Sequence, residues 1–519
     1  MPLFVSSLIN NKIIAQNSHN ERKIVRQKTT LICRLRGKIL PRTFTIGGHM
    51  NSILYSWLKH TAELYPKKTA YTTWDQSITF GELFQQAMEV AIAGQLRGQA
   101  TVVPVTATRE LHVPITYLGI AFAGGTYAPI PKELPMARLQ ALMISLSMGT
   151  YPQGEKPLMV VQTSGTTSMP KGVCIPESAV CHYLESFGAA MNIGPDEVLG
   201  CQCDFDYVAA IRDLYLPVRY GCTTAIIPKD CFVNPMKLHS FLRDNHVTTL
   251  CWSVAAMTTM AKLGALQDFD FSFIQKVIFT GSQIPGGILH QWQMALPDAI
   301  FINHYGPSEA TASCTYYVVD HPVKTFERIP IGKPLPGYEV TIADADENGE
   351  GEIVIAGKGL ASGYYGAKEL TRSKFVIAAE YQQSHTLLNP ILGDILYLTG
   401  DLGKMDENGN LLFLGRKDRQ IKHMDYRIEL DGIEAAVTSL PDIEEAAVVN
   451  DEVSDKIILY YVGDTTPETI IPALRQQLPG YMMPRVFKQV ASIPKLASGK
   501  TDYMALTPKR ETKPVPKLE

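Results

Sequence analysis

The sequence predicts an α/β protein with a large N-terminal body and a small C-terminal cap. Helical stretches alternate with short β-branched or apolar runs such as residues 223–227 and 276–279, which is typical of α/β layers. From residue 351 onward, short strands separated by Gly, Asp and Asn predict a small β-barrel or meander. We place the domain boundary after Gly415, so that the body spans residues 50–415 and an α+β cap spans residues 416–507.

The two ends of the chain differ from the rest. Residues 1–49 carry nine Lys or Arg against one acid, Glu21, and their apolar residues have no steady period. A clear amphipathic pattern opens only at Met50, so we interpret residues 1–49 as a basic leader that is either disordered or not native. Residues 508–519 are rich in Lys and Pro, which predicts a disordered tail.

The composition excludes several classes of protein. The chain has 519 residues, 45% of them hydrophobic and 19% charged, with a net charge of -3. This balance gives no reason to expect nucleic acid as a partner, and no apolar run reaches the length of a membrane span. The nine cysteines lack CxxC spacing, which favours reduced thiols in a cytoplasmic protein over disulfides or a metal site.

The segment from Gln162 to Gly172 predicts an anion-binding loop. It follows the strand-like apolar run 158–161 and has the sequence QTSGTTSMPKG. Small hydroxylated residues and glycine let backbone N–H groups and hydroxyls converge on an anion, and Lys171 adds a mobile positive charge. The GK[ST] ending of a Walker A loop is missing. A flexible surface turn is the alternative interpretation of the same composition.

This loop resembles the TSGTTGxPKG signature of the adenylate-forming (AMP-binding) superfamily, with Ser168 where the family has glycine. That superfamily includes acyl-CoA synthetases, luciferases and nonribosomal peptide synthetase adenylation domains. Four further segments resemble family motifs in the same order: NHYGPSE at 303–309, YLTGD at 397–401, GRKDRQIK at 415–422 and PKLASGKTD at 494–502. The resemblance covers residues 50–507 and implies a large adenylate-forming domain of α/β layers plus a small β-barrel, with a mobile α+β cap.

The resemblance also implies a nucleotide site that uses ATP and Mg²⁺. Tyr305 would pack on adenine, Asp401 would bind the ribose hydroxyls, and Glu309 would be the Mg²⁺ ligand. Lys500, Thr163 and Glu309 would be catalytic, and Asp418 would be the hinge about which the cap rotates. The implied nucleotide-binding residues are Thr163, Ser164, Gly165, Thr166, Thr167, Lys171, Gly281, Asn303, His304, Tyr305, Gly306, Ser308, Asp401, Arg416 and Lys500.

The reaction implied by the resemblance has two halves. A carboxylate attacks the α-phosphorus of ATP to give an acyl adenylate and pyrophosphate, and a phosphopantetheine thiol then takes the acyl group and releases AMP. The chain contains no carrier segment with a serine motif after Lys500, so we expect the thiol on a separate acyl or peptidyl carrier protein. Asp425 stands where the family has a glycine along the thiol path, which puts the second half in question.

The expected substrate is a small amino acid. Phe205-Asp206 resembles the FD segment of peptide synthetase adenylation domains, in which the aspartate pairs with the α-ammonium. Two extra residues before Asp213 shift the register, so that Arg212 rather than Ala210 is expected against the pocket. The predicted substrate residues are Asp206, Tyr207, Arg212, Thr249, Ile278, Thr280, His304, Ala312 and Ser313.

The sequence does not determine which amino acid or other carboxylic acid is the substrate. The chain resembles standalone adenylation domains and D-alanine–carrier protein ligases, although Thr280-Gly281-Ser282 stands where the latter usually have a CGE segment with its cysteine. An acidic substrate such as aspartate is the alternative if Arg212 and His304 both face it. Two other functions are also open: an acyl-CoA ligase for acids without an amine, and a catalytically degenerate nucleotide-binding homologue.

Overall fold

The computed structural model describes residues 52–96, 102–163, 171–423, 426–451, 454, 456–496 and 501–507. The predictions for residues 1–49, Ser164, Gly165, Thr166, Thr167, Asp425, Lys500 and the tail lie outside the described residues. Among the described helices, no segment combines the length and hydrophobicity that crossing a bilayer requires.

A nine-stranded sheet forms the centre of the N-terminal part. Its strands are β1 (Thr69–Thr72), β2 (Ser77–Thr79), β7 (Val198–Cys201), β8 (Thr223–Ile226), β9 (Thr249–Ser253), β10 (Lys276–Thr280), β11 (Ile300–Tyr305), β12 (Thr315–Val319) and β13 (Lys333–Pro334). The strand order is β13-β12-β11-β10-β9-β7-β8-β1-β2. The run from β11 to β1 is parallel, so its carboxyl ends share the edge at which open α/β sheets bind ligands.

A second, five-stranded sheet carries the start of the predicted phosphate loop. Its strands are β3 (Val103–Ala107), β4 (Tyr127–Pro131), β5 (Pro157–Thr163), β6 (Lys171–Pro176) and β16 (Gly363–Tyr364). The order is β16-β6-β5-β4-β3. β5 and β6 pair antiparallel, so that Thr163 and Lys171 are register partners at the two ends of the loop. The apolar run 158–161 is therefore a buried strand, as the sequence predicts.

Helices cover these two sheets. They are α1 (Ile53–Leu64), α2 (Phe80–Leu96), α3 (His112–Phe122), α4 (Met136–Met148), α5 (Glu177–Ala190), α6 (Ala210–Tyr220), α7 (Pro235–Asp244), α8 (Val254–Lys262), α9 (Ala265–Asp268) and α10 (Gly286–Ala295). α1 begins where the Ser52 side chain accepts a hydrogen bond from the Tyr55 backbone N–H, the usual stabilisation of a helix N-terminus. α6 ends at Gly221, whose φ of 71° suits a glycine C-cap.

The predicted barrel or meander is a five-stranded antiparallel sheet. Its strands are β14 (Tyr338–Ala343), β15 (Gly351–Gly357), β17 (Phe375–Ile377), β18 (Ile395–Met405) and β19 (Leu411–Arg416), and the short helices α11 (Lys368–Lys374) and α12 (Ala378–Tyr381) accompany it. β18 pairs with β15, β17 and β19. The alternation of Gly, Asp and Asn turns with apolar runs in the sequence corresponds to this arrangement.

The C-terminal part has its own core. Its elements are the hairpin β20 (Gln420–His423) and β21 (Tyr426–Glu429), then α13 (Leu430–Thr438), β22 (Ile443–Asp451), β23 (Lys456–Gly463), α14 (Pro467–Gln477), β24 (Val486–Gln489) and α15 (Tyr503–Leu506). Apolar side chains of α13, β22, β23 and α14 form a separate hydrophobic cluster. The chain thus has a large N-terminal α/β part and a small C-terminal α+β part, as the sequence predicts.

Candidate active site

A cavity of about 700 Å³ lies at the carboxyl edge of the main sheet and is bordered on one side by the C-terminal part. Both parts contribute to its wall, the C-terminal part through the β20–β21 hairpin and the segment around Tyr481. The cavity brings together eight of the predicted site residues: Thr163, Asp206, Tyr207, Thr280, Gly281, Gly306, Ser308 and Ala312.

Two glycines of the cavity wall are required by the local backbone. Gly281 follows β10 with a φ of 108°, a conformation that side chains of L-residues rarely adopt. A Cβ on Gly306 would lie 2.4 Å from the Cα of Ser313, which is backbone that cannot move aside cheaply. The same turn holds Ala312 at a φ of 76°, so the wall stores strain close to Glu309.

Tyr305 and Asp401 lie together on the predicted nucleotide side. The Tyr305 hydroxyl donates to Asp401 Oδ2 at 2.5 Å, although β11 and β18 belong to different sheets. Arg416 forms an ion pair with Asp401 Oδ1. Arg416 also donates to both carboxylate oxygens of Asp418, at 2.6 and 2.7 Å. The acid predicted for the ribose and the acid predicted for the hinge are thus joined through one guanidinium.

Glu309, the predicted Mg²⁺ ligand, is buried, and both of its carboxylate oxygens accept hydrogen bonds. Arg427 of the hairpin donates to its Oε1 at 3.1 Å and its Oε2 at 2.9 Å, and the Tyr364 hydroxyl donates to Oε1 at 2.6 Å. Burial would raise the pKa of Glu309, but the Arg427 charge and the Tyr364 hydrogen bond outweigh it and keep that pKa below its usual value. Among the described residues, no group of three or more His, Cys, Asp or Glu side chains could hold a metal ion.

Lys171 forms an ion pair with a residue of the same hairpin. Its Nζ lies 3.3 Å from Oε1 of the buried Glu429. Gln420 of β20 links the two contacts, because its amide donates to Glu429 Oε1 at 2.5 Å and its carbonyl oxygen accepts a hydrogen bond from Arg427 Nε. A continuous chain of polar contacts therefore runs from Glu309 through the hairpin to Lys171.

Tyrosine side chains connect the substrate side to the C-terminal part. The Tyr426 and Tyr481 rings stack with centroids 3.5 Å apart and planes 7° apart. The Tyr207 ring lies 5.1 Å from that of Tyr426. Since Tyr207 follows Asp206 directly, the loop predicted to bind the substrate amine contacts the hairpin.

Asp206 opens onto the cavity in an environment that disfavours its charge. Desolvation, with a smaller effect of the nearby Asp204 carboxylate, raises the pKa of Asp206 to about 6. Asp204 itself is paired with Arg109 at 2.6 Å and with Lys229 at 2.8 Å, so these cations neutralise Asp204 first. Arg109 and Lys229 also act on Asp206, but only as smaller effects that lower its pKa, and neither forms an ion pair with it among the described contacts.

Four predicted substrate residues are buried and do not line the cavity: Arg212, Ile278, His304 and Ser313. Arg212 is 1% exposed, its Nε donates to the Ala209 carbonyl at 3.2 Å, and its guanidinium lies 5.8 Å from the Phe187 ring. His304 is 2% exposed and contacts Ser313 Oγ at 3.2 Å. Burial and the Arg212 charge hold the pKa of His304 well below its usual value, so the imidazole is neutral.

Thr249 does not reach the cavity, which corrects the sequence prediction. It stands at the amino end of β9, opposite the carboxyl edge, and its hydroxyl donates to Glu197. Cys251, two residues further along β9, is buried close to the Arg212 charge. Asn303 is buried, and its amide donates to the Pro330 carbonyl at 2.7 Å, which fixes β11 to a neighbouring segment.

The comparisons with known proteins agree with this fold. Residues 147–365 match the AMP-binding enzymes, and residues 432–500 match the C-terminal domain of AMP-binding enzymes. The delta-poly-L-ornithine synthetase of Acinetobacter baumannii is 28% identical over 93% of this chain. The chain spans only 38% of the length of that relative.

Two solved structures share the fold. The Vibrio cholerae adenylation domain AlmE, in complex with glycyl-adenosine-5'-phosphate, has a TM-score of 0.75 at 19% identity. The match covers 90% of this chain and 98% of the AlmE chain. Holo-PA1221, an NRPS protein containing adenylation and PCP domains, has a TM-score of 0.73 at 22% identity. The match covers 87% of this chain and 83% of the PA1221 chain.

The two-part fold and the matched segments define an architecture of adenylate-forming ligases. This chain belongs to the AMP-binding enzyme family. The resemblance to the adenylate-forming (AMP-binding) superfamily is therefore confirmed.

Proposed function

We propose that this chain joins a small amino acid to AMP and then transfers the aminoacyl group to the phosphopantetheine thiol of a separate carrier protein. The observation that carries the proposal is the composition of one cavity wall. Thr163, Gly306 and Ser308, from two nucleotide motifs, line the same cavity as the partly buried Asp206. A site with both features suits ATP and an amine-bearing acid together.

In the first half, a carboxylate oxygen of the amino acid forms a bond to the α-phosphorus of ATP. The bond between the α-phosphorus and its bridging oxygen breaks, and pyrophosphate leaves with that oxygen. Such an in-line displacement needs positioning and charge neutralisation more than covalent help from the protein. Lys171 offers a cation to the phosphates, and Asp401 offers two acceptor oxygens to the ribose diol.

Asp206 supports an amino acid over an acid without an amine. An α-ammonium placed beside it would supply the counter-charge that the carboxylate lacks, and burial would strengthen that ion pair. A fatty or aryl acid would leave Asp206 unpaired in a site where its charge is already disfavoured. An amino acid therefore fits this site better than the amine-free substrate of an acyl-CoA ligase.

The packing around the cavity supports a small side chain. Arg212 and His304 are almost fully buried and do not line the cavity, and His304 contacts Ser313, the neighbour of the lining residue Ala312. A long side chain would have to displace one of them from a closely packed interior, which costs free energy. The adenylation domain AlmE, which shares the fold, was solved with a glycyl adenylate.

In the second half, the thiolate of phosphopantetheine attacks the carbonyl carbon of the aminoacyl adenylate. The carbon–oxygen bond to AMP breaks, AMP leaves, and the thiol proton passes to solvent. The likeness to an NRPS protein with adenylation and PCP domains supports a carrier protein as the acceptor.

Amino-acid-dependent ATP–pyrophosphate exchange tests the first half. The panel contains glycine, both enantiomers of alanine, serine, proline and aspartate, with fatty and aryl acids as controls. We expect exchange with one small amino acid, its loss in Lys500→Ala, and its retention in Lys495→Ala, which changes an exposed lysine of the same segment. Exchange with only the amine-free acids would establish the acyl-CoA ligase instead, and ATP binding without any exchange would leave a nucleotide-binding homologue.

Transfer to a thiol is measured separately. The enzyme with its preferred amino acid is offered a phosphopantetheinylated carrier protein or free coenzyme A. We expect thioester on the carrier protein, and thioester on coenzyme A alone would overturn that part of the proposal.

A further inference from the structure

The acid predicted to bind the ribose lies on a bulge of β18. Glu352 of β15 is the register partner of Leu402 on β18. The next partners are Val354 and Leu398, so residues 399–401 stand opposite a single residue of β15. A β-bulge interrupts the ladder of hydrogen bonds and turns the side chains of the bulged strand into new directions. The direction of the ribose acid therefore depends on the contacts that hold this bulge.

Side chains satisfy the backbone groups that the bulge removes from the ladder. The Gly400 N–H donates to Glu352 Oε1 at 2.7 Å. The Asp401 N–H donates to Thr399 Oγ1 at 2.9 Å, and that hydroxyl donates to the Ile353 carbonyl at 2.6 Å. A buried backbone donor without a partner costs free energy comparable to a lost hydrogen bond. The bulge is therefore stable only while these side-chain acceptors are present.

Glu352 contributes the strongest of these contacts. It is 9% exposed, and a carboxylate that accepts from a buried N–H forms a stronger hydrogen bond than a neutral hydroxyl does. Gly400 has a φ of 75°, a conformation that suits glycine, so the centre of the bulge has no side chain of its own to anchor it. Without Glu352, the Gly400 N–H would be buried without an acceptor, and the turn would have to move to find one.

The other carboxylate oxygen of Glu352 forms an ion pair with Lys417. Lys417 precedes the predicted hinge residue Asp418, and its N–H donates to the Gly400 carbonyl at 2.9 Å. The Lys417 side chain is 51% exposed, so water and salt weaken its attraction to the carboxylate. Glu352 therefore holds the bulge mainly through the buried hydrogen bond, and the ion pair adds little.

We infer that Glu352 is a positioning residue for ribose recognition, which holds the 399–401 bulge so that Asp401 faces the ribose diol. A carboxylate has about four acceptor sites. Tyr305 and Arg416 each use one, on different oxygens of Asp401, which leaves one site on each oxygen for the diol. A small rotation of the acid would lose that match. The inference rests on the proposed function, because it takes Asp401 as the acceptor of the ribose hydroxyls.

The contribution of the ribose hydroxyls to binding tests the inference. Calorimetry of the full chain measures the affinities for AMP and for 2′,3′-dideoxy-AMP, and their ratio reports the contribution of the diol. The wild-type ratio should be about thirtyfold, since hydrogen bonds to an ionised group are strong. Glu352→Ala should lower the ratio to about threefold, because the hydrogen bonds to Asp401 lose their geometry.

Further variants separate the two contacts of Glu352. Glu352→Gln keeps a neutral side-chain oxygen for the Gly400 N–H, so the ratio should be about tenfold. Lys417→Gln removes only the ion pair and should stay within about twofold of the wild-type ratio. Lys404→Gln removes a partly exposed lysine of β18 that pairs with Glu350 at 3.0 Å, and it should leave the ratio unchanged.

Asp401→Asn supplies the reference for loss of the ribose acceptor. If Glu352 acts through Asp401, the double variant Glu352→Ala/Asp401→Asn should have the same ratio as Asp401→Asn alone, because residues that act through one contact are not additive. A further loss in the double variant would overturn the inference.

An unchanged ratio in folded Glu352→Ala would also overturn the inference, because a role in stability alone weakens the binding of both nucleotides equally. If that variant fails to fold, an unchanged ratio in Glu352→Gln has the same meaning. Amino-acid-dependent pyrophosphate exchange together with an unchanged ratio would leave the proposed function standing without this inference. A lowered ratio in a protein whose wild type shows no exchange would support the inference and overturn the proposed function.

Discussion

Tyr305 donates a hydrogen bond of 2.5 Å to Asp401, and this contact joins the main sheet to the antiparallel sheet within the nucleotide side of the site. Both residues are almost fully buried. The hydroxyl and Arg416 together engage both oxygens of Asp401. The orientation of the acid that would receive the ribose hydroxyls therefore depends on a tyrosine almost 100 residues earlier in the chain.

Tyr305→Phe should weaken ATP binding. The change keeps the ring against its neighbours and removes one hydrogen bond to an ionised group, which is worth about 1.5–3 kcal/mol or roughly a tenfold change or more. We expect KM for ATP to rise about tenfold, with a small effect on KM for the amino acid. Steady-state exchange kinetics measure both constants.

Tyr317→Phe, on the neighbouring strand β12, is the control. Equal effects of the two variants would contradict a specific role for the Tyr305 hydroxyl.

Binding of the amino acid should depend on pH through the Asp206 carboxylate. Desolvation raises the pKa of Asp206 to about 6, so the carboxylate is ionised above this pH and takes up a proton below it. A bound ammonium favours the ionised form, which means that the amino acid binds more tightly as the pH rises through 6. KM for the amino acid should therefore increase by up to about tenfold per unit as the pH falls below this value.

The pH profile of KM for the amino acid, measured between pH 5 and 8, checks this prediction. Asp206→Asn should have a high KM at all pH values and lack the rise below pH 6. A wild-type profile that is flat through pH 6, or a variant that retains the rise, would show that another group controls amine binding.

The sequence predicts much of this fold and less of the site. The alternation of apolar runs with helices predicts the α/β part, because parallel strands buried on both faces need continuous hydrophobic runs. The strand β5, which precedes the predicted phosphate loop, follows from the apolar run within one short segment. These features are local, so their physical causes lie within a few residues of each other.

The residues that sequence reasoning misplaced or missed depend on strand boundaries or on distant contacts. Thr249 belongs to an apolar run, and nothing in that run indicates that the strand begins at Thr249 and so places this residue at the amino end. Arg427 meets Glu309 across 118 positions in the chain. The alternation of Arg427 and Glu429 along β21 was the available indication, because it places opposite charges on one face of a strand.

Gly306→Ala should destabilise the fold of the site. The added Cβ would lie 2.4 Å from the Ser313 Cα and 2.8 Å from the Cys314 backbone nitrogen, so backbone must shift to relieve the contact. Overpacking of this kind costs about 1–3 kcal/mol. We expect a lower Tm and a large loss of exchange activity. Gly194→Ala, where no atom lies within 4 Å of the new Cβ, should change neither.

The last prediction concerns the packing around the substrate cavity. His304 is fully buried between Ser313 Oγ, at 3.2 Å, and Met191 Sδ, at 3.3 Å. Burial and the Arg212 charge keep the pKa of His304 well below its usual value, so its removal takes away volume without removing a charge. His304→Ala should therefore open a space beside Ser313, the neighbour of Ala312, that a longer substrate side chain can enter.

We expect His304→Ala to lose about 1–3 kcal/mol of stability and to gain exchange activity with longer unbranched amino acids relative to alanine. His304→Gln fills most of the same volume and should keep the wild-type preference. Ratios of kcat/KM for a series of increasing side-chain length measure the effect, because they report differential binding in the transition state. An unchanged series in a folded His304→Ala protein would mean that the side chain of the substrate lies elsewhere, against Tyr207 and the hairpin.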